Sequence, residues 1–488
     1  MKLYHNRVIS CFSLLLIIVF VTTACTLQPP RVKSSGLPQR EYTYQIPEKI
    51  DDGWEPSTLE TEGVDSKKII QLMGNILRED IKNIHSILLV KNGKLIFEEY
   101  FYGYDRDTKH IIYSASKSVT SILMGIAMDQ KMIPNVDQKV YAFLPEYKGT
   151  KWVDQKYDIT LKHVLTMSAG IDWEHEKYPH HDARNSTGAM TRSGDWIKFV
   201  LDRDAIERPG DRFNYSDGLA MLLGVIIKNS TGMYADEFSE KHLFTPLGIS
   251  DYSWRKSPDG SVITAWGLSL KPRDMAKIGY LFQKNGRWNG NQIVSQKWVN
   301  ESTKAHMTQA HMTDVAMGSG FGYQWWCGKT NINNQVYELY YAVGVGGQYI
   351  FVCPSLNLVA VITSSTIGNP LGELRPQAMM TDYILPAILP PAPSQKTIKL
   401  DLKTVDSYVG KYKSNYVTLT IFRKGDKLFV TTPYRTHVEL FPESEYRFFG
   451  IFKEIGDIQL DFTKDEKGNI QKITVHIGFG RIQCEKIQ

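Results

Sequence analysis

The chain has 488 residues, of which 42% are hydrophobic and 22% charged, with 37 glycines, 21 prolines and a net charge of +5. This length suffices for roughly three folding units with a large core, and the composition excludes collagen-like and disordered chains. Lysines and arginines are scattered rather than gathered in a basic stripe, which argues against a nucleic-acid partner. The sequence has no repeat of fixed period, which argues against a solenoid.

The first 25 residues have the pattern of a secretory signal peptide. Lys2 and Arg7 precede an apolar run over 8–21, and small residues then lead to Cys25. The run is shorter than the ~20 residues of a membrane span. The segment resembles a bacterial lipoprotein signal in which Cys25 is lipidated, although Thr22 stands where leucine is usual. A cleaved signal or an uncleaved anchor is the alternative. Each reading predicts an extracytoplasmic protein, and the lipoprotein reading predicts a lipid anchor in the membrane.

Two features follow the signal. Residues 26–60 carry prolines, serines and charges, which predicts a linker. Two apolar runs, 87–90 and 95–100, then flank Asn92-Gly93, a dipeptide that favours the positive φ angles of a tight turn, so we expect a β-hairpin. The period then changes to that of an amphipathic helix with apolar positions at Val119, Ile122, Leu123 and Ile126.

The long middle of the chain is predicted to be mostly helices and loops. Helical patterns occur over 161–167, 220–228 and 273–284, and strand patterns return at 339–343, 349–353 and 358–364. A further helix is expected over 373–384. Because strands flank a helical middle, we predict an α+β domain over 61–390, with an antiparallel sheet flanked by helices and a mostly helical insertion.

The C-terminal part has a different pattern. Several prolines between 386 and 393 interrupt the chain, and beyond residue 400 only alternating β patterns occur, for example over 417–421 and 473–477. This pattern predicts a separate, small, all-β domain over 400–488, barrel-like or a sandwich.

The cysteine and histidine spacings give no metal site. An oxidising compartment would permit a bridge between Cys327 and Cys353, but their apolar neighbours fit buried free thiols equally well. No Cys/His spacing is typical of zinc. The histidines and aspartate of 175–182 are interpreted as a polar loop near the mouth of a site, so we expect neither a metal nor a cofactor.

A serine and a lysine carry the first chemical motif. Ser114 and Lys117 are three residues apart at the start of the predicted helix, so both side chains lie on one face, one turn apart. That arrangement brings a hydroxyl within reach of a base, near helix amides that favour a developing oxyanion. The pattern alone is weak, because Ser253 begins a second match and Ser114 could be only a helix N-cap.

The second motif is a tyrosine, Tyr215, in a loop before a helix that starts near Leu219. With these motifs the sequence resembles the class C β-lactamase and penicillin-binding-protein-like serine hydrolases, which include carboxylesterases and 6-aminohexanoate-dimer hydrolases. The resemblance spans about 60–390. It rests on segments at 113–117, 159–170, 209–218, 244–248, 267–274 and 349–354.

The resemblance implies a role for each motif. Ser114 would be the nucleophile that forms an acyl-enzyme. Lys117 and Tyr215 would share its proton, and which of them is the base stays open. The family uses no metal. An oxyanion hole would combine the Ser114 amide with an edge-strand amide, for which the candidates are Gly346, Gly347 and Gln348.

Two departures from the family pattern bear on the substrate. Asp217 stands where asparagine is usual, and an ionised Asp217 would hold Lys117 protonated, favour Tyr215 as the base and weaken recognition of an anionic substrate. The alternative, which the sequence favours equally, is that Asp217 serves only as the N-cap of the next helix. The second departure is at 342–348, which carries no cation where penicillin-binding relatives have Lys-Thr-Gly or His-Thr-Gly.

We therefore predict an esterase or amidase, acting on a small-molecule or short-peptide substrate through a Ser114 acyl-enzyme. One alternative is a penicillin-interacting enzyme, either a β-lactamase or a D,D-carboxypeptidase. Another is a non-catalytic module that binds envelope peptides. The oligomeric state stays open.

Overall fold

The computed structural model describes residues 42–487, apart from gaps at 176, 309–310, 312–314, 317, 333–334, 368–369, 390–396, 415–416, 432–436 and 453–455. The predicted signal peptide, with Cys25, and the first part of the predicted linker lie outside these residues. Within the described ranges, no helix combines the length and the apolarity needed to cross a membrane.

Fourteen α-helices occur in the described residues. In chain order they are α1 (Ser66–Leu77), α2 (Ser116–Asp129), α3 (Lys151–Asp154), α4 (Leu161–Leu165), α5 (Ser186–Arg192), α6 (Trp196–Leu201), α7 (Asp217–Thr231), α8 (Ala235–Ser239), α9 (Pro272–Gln283), α10 (Gln296–Ser302), α11 (Pro370–Glu373), α12 (Arg375–Met379), α13 (Leu385–Ile388) and α14 (Leu402–Ser407). The three helices predicted in the middle of the chain correspond to α4, α7 and α9.

The described strands fall into two groups. The strands before residue 365 are β1 (Glu55–Pro56), β2 (Ile84–Lys91), β3 (Lys94–Tyr100), β4 (His110–Ile111), β5 (Ser253–Trp254), β6 (Leu268–Leu270), β7 (Arg287–Trp288), β8 (Asn291–Gln292), β9 (Met307–Thr308), β10 (Val315–Ala316), β11 (Gly320–Phe321), β12 (Trp326–Ile332), β13 (Gln335–Gly344), β14 (Gln348–Cys353) and β15 (Leu358–Ser364). The strands after residue 409 are β16 (Gly410–Lys413), β17 (Thr418–Lys424), β18 (Lys427–Thr431), β19 (His437–Pro442), β20 (Arg447–Phe452), β21 (Gly456–Lys464), β22 (Ile470–Ile477) and β23 (Gly480–Lys486).

One nine-stranded sheet organises the first domain, in the order β1-β3-β2-β15-β14-β13-β12-β11-β9. All neighbouring strands are antiparallel except β1 and β3, which are parallel. The predicted hairpin is confirmed as β2–β3, and Asn92 and Gly93 adopt φ angles of 52° and 84° in its turn. The helices between β4 and β9 form most of the insertion. The predicted α+β class is therefore confirmed.

The helix predicted over 373–384 is broken into shorter pieces. It appears as α11 and α12, then a wide turn over Met380–Ile384, and then α13. Pro376 and Pro386 lie in the first turns of α12 and α13, where a missing amide hydrogen costs least. The apolar pattern thus gave the right type of element, while proline placement set its interruptions.

Residues 42–60 are packed onto the first domain, which differs from the predicted linker. Trp54 is buried, and its Nε1 donates to the Arg273 carbonyl at 3.3 Å. Tyr42 donates from its hydroxyl to Glu99 at 2.7 Å, and β1 extends the sheet. Proline and charge content suggested a linker, but aromatic anchors in the same segment bury apolar surface.

The second domain is a closed barrel of eight antiparallel strands, β16 to β23. Each strand pairs with the next along the chain, and β23 pairs with both β22 and β16. Its core includes Tyr408, Tyr412, Ile421, Val430, Phe448, Leu460 and Ile473. The predicted all-β domain is thus confirmed. Because its last strand pairs with its first, the domain is a closed barrel rather than a sandwich.

Cys327 and Cys353 are buried free thiols. Cys327 lies on β12 and Cys353 on β14, and β13 lies between these two strands. Two strand spacings amount to about 9.5 Å, which exceeds the roughly 7 Å limit between α-carbons for a disulfide. Of the two readings that the sequence left open, the structure has the free thiols.

Candidate active site

Ser114 lies in a single helical turn, Tyr113–Ala115, that leads directly into α2. The hydroxyl of Ser116 donates to the Tyr113 carbonyl at 2.6 Å and accepts from the Leu268 amide at 3.1 Å, which fixes this turn to β6. The residue that caps α2 is Ala115, so Ser114 is not the N-cap of that helix. Its hydroxyl is left to face the other side chains of the site.

The end of β13 lies against the same turn. A β-carbon added to Gly344 would stand 2.0 Å from the carbonyl oxygen of Ile112, two residues before Ser114. Only a glycine allows the two backbones to approach so closely. The residues that follow Gly344 are therefore held next to the nucleophile.

Lys117 is buried behind Ser114, and each of its three ammonium hydrogens has an acceptor. Its Nζ donates to Ser114 Oγ at 3.0 Å, to Asp217 Oδ1 at 2.7 Å and to the Ala265 carbonyl at 2.8 Å. Burial alone would lower the pKa of Lys117, but Asp217 and Tyr215 outweigh it, and the pKa is raised. Three donors matched by three acceptors are the pattern of a charged lysine.

Asp217 is part of the site rather than a helix cap. The N-cap of α7 is Ser216, whose hydroxyl accepts from the Leu219 amide at 3.2 Å. The second carboxylate oxygen of Asp217 accepts from the Thr187 hydroxyl at 2.9 Å. Although burial raises the pKa of this carboxyl, Lys117 and His175 bring it down to about 2. Asp217 is therefore ionised, as one of the two sequence readings required.

Tyr215 completes the arrangement around the nucleophile. Its hydroxyl faces Ser114 and Lys117, and the Lys117 Nζ lies 4.9 Å from the centre of its ring. Loss of solvent raises the pKa of Tyr215 more than the neighbouring ammonium lowers it. At neutral pH the resting site therefore holds a neutral tyrosine beside a charged lysine.

Aromatic and polar side chains form the wall beside Tyr215. The Trp326 ring is stacked on Tyr215 at 6.4 Å, and the His175 ring lies 5.0 Å from it. The Nδ1 of His175 is 3.2 Å from the Thr187 hydroxyl and 3.6 Å from Asp217. The sequence predicts that His175 lies in a polar loop, and in the structure this loop lies against the site.

The three predicted oxyanion candidates all have other partners. The Gly346 amide faces the carboxyl of Glu373, and the Gly347 amide donates to the Gly344 carbonyl at 3.2 Å. Gln348 is paired with Gly344 across the hairpin, and its buried side chain bonds to the backbone of Ser364. Their role is to fix the turn between β13 and β14.

Val345 is the residue of this turn that the sequence reasoning missed. It follows Gly344 directly, and its amide N–H donates no hydrogen bond to any of the described residues. Its side chain is 39% exposed. The sequence did not indicate Val345, because a valine, unlike its glycine neighbours, gives no signal of a special backbone position. The Val345 amide is left without a protein acceptor in the part of the chain that the structure describes.

Glu373 was also not predicted. Its carboxyl is largely buried, and burial raises its pKa to about 7, against the opposing effect of the Gly346 amide. Glu373 lies 27 positions along the chain from that amide, so only the fold brings the two together.

No group of three or more possible metal ligands occurs in the part of the chain that the structure describes. Asp182, in the histidine-rich loop, pairs with Arg184 at 2.6 Å. His175 takes part in the contacts around Asp217 described above.

A partly exposed serine that faces both a buried lysine and a tyrosine, close to a strand edge, is an arrangement typical of serine hydrolases. The chain belongs to the Beta-lactamase family, which matches residues 84–380. Residues 394–486 match a domain of unknown function, DUF3471.

Similar proteins agree with this membership. The chain is 26% identical over 296 residues to the 6-aminohexanoate-dimer hydrolase of Paenarthrobacter ureafaciens, covering 57% of this chain and 72% of that protein. It is 28% identical over 215 residues to protein Flp of Staphylococcus aureus strain MW2, covering 41% of each.

Two solved structures share the fold. The octameric penicillin-binding protein homologue from Pyrococcus abyssi superposes with a TM-score of 0.52 at 19% identity, covering 86% of this chain and 99% of that one. EstCE1, a hydrolase with promiscuous acyltransferase activity, gives 0.51 at 14% identity, covering 66% and 98%.

Proposed function

We propose that this protein cleaves an ester or amide bond of a small molecule or short peptide through an acyl-enzyme on Ser114. The observation that carries the proposal is the pairing around Lys117. Its ammonium donates to Ser114, Asp217 and Ala265 at 2.7–3.0 Å, and the Tyr215 hydroxyl faces both Ser114 and Lys117. This leaves Tyr215 as the group that exchanges a proton with Ser114.

The proton steps follow from these ionisation states. Tyr215 must lose its proton before it can accept one from Ser114, and the adjacent Lys117 cation stabilises the phenolate. The Ser114 oxygen then attacks the carbonyl carbon, and Tyr215 returns the proton to the leaving group. Water, activated by the same tyrosine, hydrolyses the acyl-enzyme and regenerates Ser114.

The negative charge that develops on the carbonyl oxygen needs donors. The amides of Ser114 and Val345 supply them in this proposal, because the first lies at the start of a helix and the second follows the strand end that meets it. Removing a single donor of this kind typically costs about 100-fold or more in kcat.

The first experiment measures hydrolysis of a short-chain p-nitrophenyl ester by the wild type and by Ser114→Ala. We expect turnover by the wild type and its loss in the variant, with unchanged melting temperature. Labelling by a fluorescent fluorophosphonate should likewise need Ser114. Equal turnover by both proteins would exclude Ser114 as the nucleophile. Turnover of a penicillin in preference to esters would favour the penicillin-interacting alternative.

We also propose that the protein works outside the cytoplasm as a lipoprotein anchored through Cys25. The support is the sequence of the first 25 residues, with its charged start, apolar run and small residues before the cysteine. Metabolic labelling with a palmitate analogue tests it. Incorporation should be lost in Cys25→Ser, and labelling that persists in this variant would contradict the anchor.

A further inference from the structure

The barrel is joined to the first domain by an exchange of core side chains. Phe479, at the tip between β22 and β23, is buried in the core of the first domain, with its ring 5.8 Å from Tyr341 and 6.1 Å from Phe351. In return, Leu374 is buried in the core of the barrel. Such mutual insertion differs from the small polar contacts typical of independent domains.

A chain of hydrogen bonds runs from this tip to the turn beside the nucleophile. The Phe479 amide donates to Gln377 Oε1 at 2.9 Å, and Gln377 Nε2 donates to the Tyr349 hydroxyl at 3.2 Å. Tyr349 donates to the Glu373 carbonyl at 3.1 Å, and the Glu373 carboxyl faces the Gly346 amide, which opposes the rise of its pKa. Each link is buried or nearly so, where an unpaired polar group would be costly.

The barrel has a second connection to the first domain. β10 of the first domain pairs with β23 of the barrel, with Val315 opposite Ile482. In the segment just before β10, the His311 carbonyl accepts from the Phe213 amide at 2.9 Å, two residues before Tyr215. The barrel therefore pairs with a strand that begins four residues along the chain from the His311 carbonyl, to which the segment of Tyr215 is bonded.

We propose that the C-terminal barrel is a positioning element of the active site, and that its tip, through Gln377 and Glu373, sets the position of the Val345–Gly347 turn. Gln377 and Phe479 are then positioning residues that act through that turn. The inference rests on the proposed function as regards catalysis. The positioning of the turn itself can be measured without catalysis.

Two glycines of the barrel give a matched test. Gly478 has a φ of 56°, and an added β-carbon would stand 2.4 Å from Gln377 Cβ and 2.9 Å from its carbonyl carbon. Gly468, in the turn between β21 and β22, has a φ of 83° and nothing within 4 Å. Gly478→Ala and Gly468→Ala both impose an alanine at positive φ, but only the first displaces Gln377. Gln377→Met, nearly isosteric, removes the hydrogen bonds without strain at the tip.

All variants are made in the full-length chain, and the active fraction is titrated with a fluorophosphonate. We expect Gly478→Ala and Gln377→Met to lower kcat per titrated site by about 10–100-fold, because misplacing a catalytic donor by about 1 Å has that effect. KM should change less than about twofold, since the substrate contacts remain. Gly468→Ala should retain the wild-type kcat per titrated site.

Amide hydrogen exchange over 345–347 gives the readout that does not need activity. Exchange should be faster in Gly478→Ala and Gln377→Met than in the wild type or Gly468→Ala, because Gly346 loses a fixed partner. The proposal would be overturned if Gly478→Ala and Gln377→Met both had the kcat and the amide exchange rates of the wild type. It would also be overturned if Gly468→Ala lost as much kcat as Gly478→Ala. If Gly478→Ala does not fold, Gln377→Met decides. If the wild type neither hydrolyses the ester nor reacts with the fluorophosphonate, the proposed function fails. The amide exchange rates over 345–347 then show by themselves whether the barrel positions the turn.

Discussion

Asp217→Asn tests the charge arrangement of the site directly. The asparagine keeps the size of the side chain and an acceptor oxygen, but it removes the negative charge that lies 2.7 Å from the Lys117 Nζ. Both side chains are at most 6% exposed, so solvent cannot replace the lost partner. Lys117 would then be a buried cation without a counter-ion, in an environment that otherwise lowers its pKa.

The expected magnitude comes from the cost of breaking a buried ion pair, about 3–5 kcal/mol. At 1.36 kcal/mol for each pH unit, this corresponds to a fall of about 2–4 in the pKa of Lys117. A lysine whose folded-state pKa lies below its unfolded value binds fewer protons in the folded protein. Stability of the variant should therefore be lowest at acidic pH and recover as pH rises through the new pKa, while the wild type has the opposite dependence.

Activity should respond in the same direction. Lys117 and Tyr215 must together release one proton before Ser114 is activated, and both pKa values are raised in the wild type. We therefore expect wild-type kcat/KM for a p-nitrophenyl ester to keep climbing with pH through the alkaline range in which the protein stays folded. In Asp217→Asn the climb should end at a lower pH than in the wild type.

The control is Asp406→Asn, which breaks an ion pair with Arg423 in the barrel. Its two side chains are 53% and 36% exposed, so the loss should stay below about 1 kcal/mol at every pH. A pH–rate profile in Asp217→Asn that coincides with that of the wild type, with melting temperatures within the range of the control, would refute the reasoning.

Two further predictions concern the turn and its support. Burial raises the pKa of Glu373 from 4.5 to about 7, so this carboxyl should contribute about 3 kcal/mol of stability that is lost as pH rises from 4 to 8. Burial also raises the pKa of Asp382 to about 7, so the test is a difference: Glu373→Gln should lose about 3 kcal/mol less than the wild type over this range. An equal loss in the two proteins would contradict the assignment. Gly344→Ala should lower kcat/KM by about 100-fold, since its methyl group would collide with the Ile112 carbonyl. Wild-type kinetics in this variant would show that the turn tolerates displacement.

The local parts of the fold could be predicted because their signals are local. Asn92-Gly93 specifies its hairpin through the φ angles that those two residues tolerate, and the apolar spacing of 119–126 specifies α2. The same holds for Ser114 and Lys117, whose relation follows from one helical turn. Such features need no knowledge of what packs against them.

The features that escaped prediction depend on partners far along the chain. Residues 42–60 look like a linker until Trp54 is seen to donate to Arg273, 219 positions away. The roles of Val345 and Glu373 depend on how β13 meets the nucleophile turn and on how α11 packs beside it. Neither residue type signals such a role, because a valine after a strand and a glutamate in a short helix are ordinary.

The electrostatics of the site favour a substrate whose acyl part is uncharged. The positive charge of Lys117 is matched by Asp217 within the buried site, so it offers little attraction to a substrate carboxylate. The segment 342–348 adds no cation, and two apolar side chains at its turn, Val345 and Ile367, are exposed. A penicillin or a D-alanyl peptide brings a carboxylate that would be desolvated there without a partner, which costs several kcal/mol. A neutral ester or amide would bind at the same surface without that cost. The pairing of Lys117 with Asp217 therefore supports the esterase or amidase proposal over the penicillin-interacting alternative.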